Sequence, residues 1–243
     1  MSELTAETME KFWEEYEKHI RENSIKNRKG DYLIKDGLDP LKQDKYLGLN
    51  NETKVLFVLK ESNEKPVKQE DKTVRTVFGE KNWFGLYQEK KTEENAKNPK
   101  NDVMLTKMVR MYEYIVKREA RKNDESLKDS KHKVDYIKKK KPEKEEVYNF
   151  AFINISKRGN GTDKSDDKKI KEILDMDAPL LRKQVEYLVP DVVVIGGKNI
   201  AEEVEDKIIK KACLEKMPIV IRVKHFSRMG YEEFVDECDR KGL

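Results

Sequence analysis

The sequence predicts a three-layer α/β/α fold built on a central, mainly parallel sheet of four strands. One observation is a set of four short runs of apolar, mostly β-forming residues, which are typical of strands buried on both faces. The other is that segments with helical spacing of apolar residues lie between these runs and after the last one, an alternation typical of a parallel sheet with helices on both faces. The predicted strands are Lys54–Lys60, Phe150–Ile155, Val192–Ile195 and Ile219–Val223.

The predicted helices follow from apolar residues that recur on one helical face. Between the second and third strands we expect two helices rather than one. Asp177 resembles a helix cap and Pro179 suits the first turn of a new helix, so a short helix near 170–174 would end before a second one that runs to Leu188. The other predicted helices lie at about 6–22, 200–208 and 231–238.

Composition limits the class of protein. A chain of 243 residues is long enough for one sizeable core, so we expect a single domain over 1–243. The hydrophobic fraction is 36% and the charged fraction is 41%, which is typical of solvated helix faces and long polar loops. The net charge of +4 is too small to indicate nucleic-acid binding, so any basic surface must be local.

Two cysteines, Cys213 and Cys238, exclude a disulfide framework, a four-cysteine zinc site and a cysteine-held iron–sulfur cluster. They favour a reducing compartment. No apolar run approaches the roughly 20 residues that cross a bilayer. The first residues also lack the basic start and apolar run of a signal peptide. We therefore expect a cytoplasmic protein without a membrane partner.

The segment 86–146 departs from the strand–helix alternation. It contains one clear helix, with an apolar stripe from Met104 to Ile115, in a charged sequence that ends in Lys138–Lys141. We predict an inserted helical excursion with a mobile tip, whose methionines are core residues. The lysine run is expected to be solvated, with a patch for a nucleic-acid backbone as the alternative.

Polar residues at the ends of the predicted strands are the site candidates, because ligands of open parallel sheets bind outside the carboxyl ends of the strands. Glu61 follows the first run, Asn154 lies inside the second and His225 follows the fourth. An amide inside an apolar run needs hydrogen-bond partners if it is buried, which makes Asn154 the strongest candidate. Glu61 could equally be a capping carboxylate, and His225 a structural histidine.

Known motifs narrow the chemistry further. The sequence contains no phosphate-cradling glycine loop that ends in Lys-Ser/Thr, no His-Glu-x-x-His and no Gly-x-Ser-x-Gly. These absences weigh against kinases, zinc proteases and α/β-hydrolases. Gly196-Gly197 is predicted to be a turn, because it lacks the spacing of a dinucleotide fingerprint.

In their order along the chain, these features resemble the motifs of the uracil-DNA glycosylase superfamily. The resemblance covers about 50–85 and 147–243. One departure is that Glu61 stands where the family usually has aspartate or asparagine. Four stretches carry the resemblance: Val55–Asn63 for the water-activating motif after the first strand, Phe152–Asn154 for the base-reading asparagine, Val192–Gly197 for the third strand and His225–Ser227 for the His-Pro-Ser motif.

The resemblance implies a hydrolase that cleaves the N-glycosidic bond of a uracil-like or damaged base, flipped out of duplex DNA or carried by a single strand. Glu61 would activate water, His225 would hydrogen-bond the departing base and Asn154 would read its edge. The implied stacking partner is one of Phe78, Trp83 and Phe84. The implied phosphate and DNA contacts are Ser62, Asn63, Ser156, Lys157, Arg158, Ser227 and Arg228. This scheme needs no metal or other cofactor, and the cysteine count excludes the family's iron–sulfur branch.

Two other functions stay open at the level of sequence. The same fold could recognise a nucleobase or modified DNA without cleavage, which the departures at Glu61 and Ser62 keep possible. The chain could also be an interaction protein whose working surface is the charged segment 86–146. The sequence sets no oligomeric state.

Overall fold

The computed structural model describes residues 6–23, 53–61, 103–139, 150–156, 167–226 and 229–243. Its strands are Val55–Glu61 (β1), Ala151–Ser156 (β2), Val192–Gly196 (β3) and Ile219–Val223 (β4). Its α-helices are Ala6–Glu22 (α1), Val103–Val116 (α2), Arg118–Lys122 (α3), Ser130–Lys139 (α4), Asp167–Leu188 (α5), Lys198–Lys207 (α6) and Tyr231–Arg240 (α7). Short 3-10 turns lie at Glu125–Leu127 and Ile209–Lys211. The described helices include none that is long and apolar enough to span a membrane.

The four strands form one all-parallel sheet in the order β2-β1-β3-β4, which confirms the predicted α/β class. Nearly all strand residues are buried, as both faces of the sheet are covered by helices. That burial explains why each strand is a continuous apolar run rather than an alternating one. The pairing register places Leu59 beside Asn154 and Glu61 beside Ser156.

The chain reverses its direction across the sheet between β2 and β3. From β1 to β2 it crosses on the face that α2 and α4 cover, and from β2 through β3 to β4 it crosses on the opposite face, which α5 and α6 cover. Right-handed crossovers require this exchange of faces when the direction reverses. The carboxyl ends of β1 and β3 therefore flank a topological switch point, where open α/β sheets bind their ligands.

The first face of the sheet packs against α5 and α6, with α1 packed on α5. Leu56, Val58 and Val193 contribute the sheet side of this core. The ring of Phe12 on α1 lies 5.9 Å from that of Tyr187 on α5, edge to face. The predicted helix at 6–22 is thus confirmed, and its aromatic stripe anchors it to the domain.

The second face packs against α2, α4 and α7. The described part of the segment 86–146 is therefore helical, as predicted, but it is also the crossover between β1 and β2 and a layer of the core. Met108 and Met111 of α2 have no exposed surface, in keeping with their predicted role as core residues. From α4, Val134 and Ile137 join the same cluster. The charged sequence around this layer predicts an excursion, whereas its apolar side chains pack against the sheet.

One helix replaces the two that the sequence predicts between β2 and β3. α5 runs without interruption through Pro179, which lies on its exposed side. Asp177 does not cap a new helix, because its carboxylate is fully buried and accepts hydrogen bonds from the hydroxyl of Tyr16 and from Nε2 of His19, both at 3.0 Å. The prediction of a break was wrong, since the partners that hold Asp177 lie on the distant helix α1.

Candidate functional site

The carboxyl edge of the sheet carries the three residues that the sequence singles out. Glu61 is the last residue of β1, Asn154 lies near the end of β2, and His225 follows β4 by two positions. β2 and β4 are the outer strands of this order, so their backbones are about 14 Å apart, or three strand spacings. Only the backbone of Glu61 belongs to the described structure, so the convergence of the three side chains stays a prediction.

Asn154 is buried, as the sequence predicts. Only 4% of its surface is exposed, and its neighbours two positions before and after are Phe152 and Ser156, which are buried too. Phe152 belongs to the core of the second face, so strand alternation assigns Asn154 to that face as well. An amide and a hydroxyl thus enter the second-face core at its carboxyl end. Ser156 has no exposed surface, so a phosphate would reach its hydroxyl only after a local rearrangement.

The turn after β4 places His225 at the same edge. The carbonyl of His225 accepts a 3.0 Å hydrogen bond from the backbone N–H of Met229, which closes a short turn. Phe226 points into the second-face core, where its ring lies 5.7 Å from that of Phe57. His225 itself is half-buried. A buried anchor beside a half-buried imidazole is an arrangement that fixes a polar group at the carboxyl edge of the sheet.

Lys60, Asp167 and Asn199 form a polar network at the switch point that sequence reasoning missed. Nζ of Lys60 donates a 2.5 Å hydrogen bond to Asp167, and the amide of Asn199 donates one of 3.1 Å to the other oxygen of that carboxylate. The hydrogen bond from Lys60 is the main cause that lowers the pKa of Asp167; burial opposes this effect and Asn199 adds to it. The network joins the end of β1 to the first turns of α5 and α6. The signal in the sequence was a lysine at the end of an apolar run.

The two glycines that join β3 to α6, Gly196 and Gly197, are required by what packs against them. A Cβ on Gly196 would overlap the ring of Phe226. Gly197 has a φ of +129°, and a Cβ there would lie 2.6 Å from Cε of Lys60. The lysine stem therefore crosses the turn in van der Waals contact. The predicted turn is wrong for Gly196, which is the last paired residue of β3, whereas Gly197 precedes the first residue of α6 and serves the Lys60 network.

Helix α2 brings two cations to the turn that carries His225. Nζ of Lys107 donates a 2.7 Å hydrogen bond to the carbonyl of Met229. Arg110, one turn further along, donates to the hydroxyl of Tyr231 at 3.3 Å. Burial lowers the pKa of Lys107 and raises that of Tyr231, which Arg110 partly offsets. The sequence pattern places both cations in an excursion, so it does not predict their contact with this edge.

Several predicted site residues lie outside the described part of the chain. The proposed stacking and most of the proposed phosphate contacts therefore stay predictions. These residues are Ser62, Asn63, Phe78, Trp83, Phe84, Lys157, Arg158, Ser227 and Arg228. Within the described ranges, no three His, Cys, Asp or Glu side chains stand together as possible metal ligands.

Comparisons with protein-family models, with curated proteins and with solved structures find no match to this chain. The fold and the site define its class as an α/β protein with a four-stranded parallel sheet and polar side chains at the switch-point edge. Its function must therefore be argued from the residues at that edge.

Proposed function

We propose that this protein binds a nucleobase that has left the DNA stack and hydrolyses its N-glycosidic bond. The observation that carries the proposal is the position of Asn154: a buried amide at the carboxyl end of β2, directly beside the strand that ends in Glu61. The family resemblance assigns a base-reading role to the asparagine and a water-activating role to the acidic residue. Strand order supports the pairing, because it makes these two strands neighbours.

Asn154 would provide base recognition. A primary amide offers a donor and an acceptor in one plane, which matches the paired donor and acceptor on a pyrimidine edge. A hydrogen bond made in a buried site is stronger than one made in water. Because Asn154 is held in a strand of the central sheet, its backbone would stay fixed while a local rearrangement, like the one that Ser156 needs, opened its amide to the base.

Glu61 and His225 would share the chemistry. Glu61 would accept a proton from water as the water oxygen attacks the anomeric carbon, and its charge would favour the cationic sugar. The glycosidic bond would break with its electron pair on the base nitrogen. His225 would donate a hydrogen bond to a base oxygen as negative charge grows there. The separation of about 14 Å between the outer strands leaves room for a base between an amide and an imidazole.

Exposed lysines at the carboxyl edge, one of which, Lys224, also pairs with Glu233 at 3.6 Å, are consistent with a DNA partner. Four exposed lysines lie at the carboxyl edge, although the net charge of the whole chain is only +4. Such a local concentration is what phosphate binding requires of a protein with little overall charge. The four lysines begin α5 and α6 or follow β4: Lys168, Lys169, Lys198 and Lys224.

Base release, measured in the wild type and in one variant, distinguishes a glycosylase from a binding module that does not cleave. We expect Glu61→Gln to abolish base release while the affinity for DNA stays within about twofold, because the amide keeps the shape but cannot accept the proton. Release would be measured on strands that contain uracil, hypoxanthine, xanthine or an alkylated base. Glu172→Gln, an exposed glutamate on α5, is the matched control. If the wild type binds these strands and releases no base, the protein is a binding module; if it neither binds nor cleaves them, the proposal fails.

An interaction role for 86–146 is the remaining alternative. Deletion of this segment would not test it, because α2 and α4 contribute buried side chains to the second-face core. Reversal of exposed charges is the usable test. Lys131 and Lys139 on α4 are exposed and lie away from the carboxyl-edge lysines in sequence. Loss of a protein partner in a Lys131→Glu, Lys139→Glu variant, with base release unchanged, would assign that function to this surface.

A further inference from the structure

We propose that Lys107 is a positioning residue for His225, and that helix α2 therefore belongs to the functional site. The inference rests on the proposed function for the importance of His225. Its geometric part stands on two hydrogen bonds that meet at one residue. The carbonyl of Met229 accepts from Nζ of Lys107 at 2.7 Å, and the N–H of Met229 donates to the carbonyl of His225 at 3.0 Å.

Met229 is suited to relay this constraint. Only 3% of its surface is exposed, and its side chain packs in the second-face core. Both polar groups of its backbone are engaged, one by α2 and the other by His225. These two hydrogen bonds therefore restrain the backbone of Met229 and the carbonyl of His225 while the ammonium of Lys107 is in place. Without that ammonium, the carbonyl would lose a charged donor, which is a stronger partner than a neutral one.

Two further contacts hold the residues on either side of the turn that contains His225 and Met229. Arg110 on the same side of α2 donates to the hydroxyl of Tyr231, which is the first residue of α7. Phe226, next to His225, is buried against Gly196 and Phe57. The turn is thus held on the core side by Phe226 and on the helix side by Lys107. His225, which is half-buried between these anchors, is the group whose position they define.

The consequence is a link between the β1–β2 crossover and the turn that follows β4. α2 lies in the connection from β1 to β2, while the turn follows β4 at the opposite edge. Lys107 bridges them over 122 positions of the sequence. If His225 acts on the departing base, then the segment 86–146, which lies outside the resemblance, helps to position that histidine through Lys107.

The test compares Lys107→Met, which keeps the length of the stem and removes the donor, with Lys107→Arg, which restores a charged donor. Lys117→Met is the matched control, because Lys117 also lies beside α2 but pairs with Glu113 and not with the turn. The chain has three histidines, so the ring signals of His225 in NMR spectra can be compared with those of His19 and His132 in the same sample. Urea unfolding would measure the overall stability of each variant.

We expect Lys107→Met to shift or broaden the ring signals of His225 alone, and Lys107→Arg to return them to the wild-type positions. Binding would be measured with a single strand carrying one 2′-fluoro-deoxyuridine, whose sugar fluorine disfavours the cationic transition state and so slows release of the uracil. The affinity should fall about tenfold in Lys107→Met, in line with the loss of a charged hydrogen bond, and recover in Lys107→Arg. If Lys107→Met does not fold, Lys107→Gln gives the same comparison, because its shorter side chain ends before the carbonyl.

The positioning role is refuted if the His225 signals are unchanged in Lys107→Met, or if those of His19 and His132 change equally. A wild type that does not bind the strand would refute the proposed function instead. In that case the His225 signals would still decide whether Lys107 positions the ring, so the two failures are distinguishable.

Discussion

Nζ of Lys60 lies 2.5 Å from a carboxylate oxygen of Asp167, although 107 positions separate the two residues in the sequence. The lysine side chain is 12% exposed and the aspartate 35%. The pair fastens the first turn of α5, in the connection from β2 to β3, to the end of β1. It therefore stands beside Glu61 and at the switch point, and its strength can be measured.

Asp167→Asn should lower the free energy of unfolding by about 1 kcal/mol at pH 7, between the values for exposed and buried pairs, because a third of the carboxylate meets solvent. The pKa of Asp167 is lowered in the folded protein. Its contribution is therefore present above the unfolded pKa and is lost as the pH falls through the folded one. Urea titrations at pH 7 and in the acid range should show the difference between wild type and variant shrinking on acidification. Asp175 on the same helix forms a more exposed ion pair with Lys207. Asp175→Asn should therefore change the free energy of unfolding by less than about 0.5 kcal/mol at either pH.

Gly197→Ala should destabilise the protein by about 2 to 4 kcal/mol, because it combines a strained φ of +129° with overlap of the Lys60 stem. Gly230→Ala is the control, since its φ is −80° and the new Cβ would meet only the movable end of Glu232. In a Lys60→Ala background, the cost of Gly197→Ala should fall, because the overlap is gone and only the backbone strain remains. Equal costs in both backgrounds would show that the stem does not press on the turn.

Asp177→Ala should cost more than Asp177→Asn, because the alanine leaves two donors without their buried acceptor. The carboxylate accepts from Tyr16 and His19 of α1. We expect a loss of about 2 to 3 kcal/mol for the alanine variant, typical of a broken buried hydrogen bond to a charged group. The fluorescence of Trp13, which is buried on α1, should report release of that helix in the same transition. Glu7→Gln, at an exposed position of α1, should leave the signal and the stability unchanged.

Tyr114→Phe should raise the free energy of unfolding by about 1 kcal/mol, because it removes a buried hydroxyl that has no hydrogen-bond partner within the described structure. Burial also raises the pKa of this tyrosine, the expected effect of a low-polarity site. The aromatic ring itself is needed, since the guanidinium of Arg121 stacks 3.3 Å from its centroid. Tyr114→Leu should therefore destabilise the protein, whereas Tyr114→Phe should stabilise it. Thermal or urea unfolding of both variants measures this difference in sign.

The strands and the helix at 6–22 could be predicted because their signals are local. A buried parallel strand needs a continuous apolar run and a docked helix needs an apolar face, and both patterns are complete within a few residues. Asn154 was predicted to be buried for the same reason, since it interrupts such a run. The break at Pro179 was predicted wrongly, because the local preference of proline was outweighed by the packing of α5 on α1 and the sheet.

By itself, then, the sequence determined the α/β class, the four strands and the buried amide of the candidate site. The tertiary structure alone decided the order β2-β1-β3-β4, and with it that the strand of Asn154 lies beside that of Glu61. It also decided that Lys60 meets Asp167 and that Lys107 meets Met229, across 107 and 122 positions. Contacts at such distances depend on how whole helices pack on the two faces of the sheet, and a single lysine carries no local signal that names its partner.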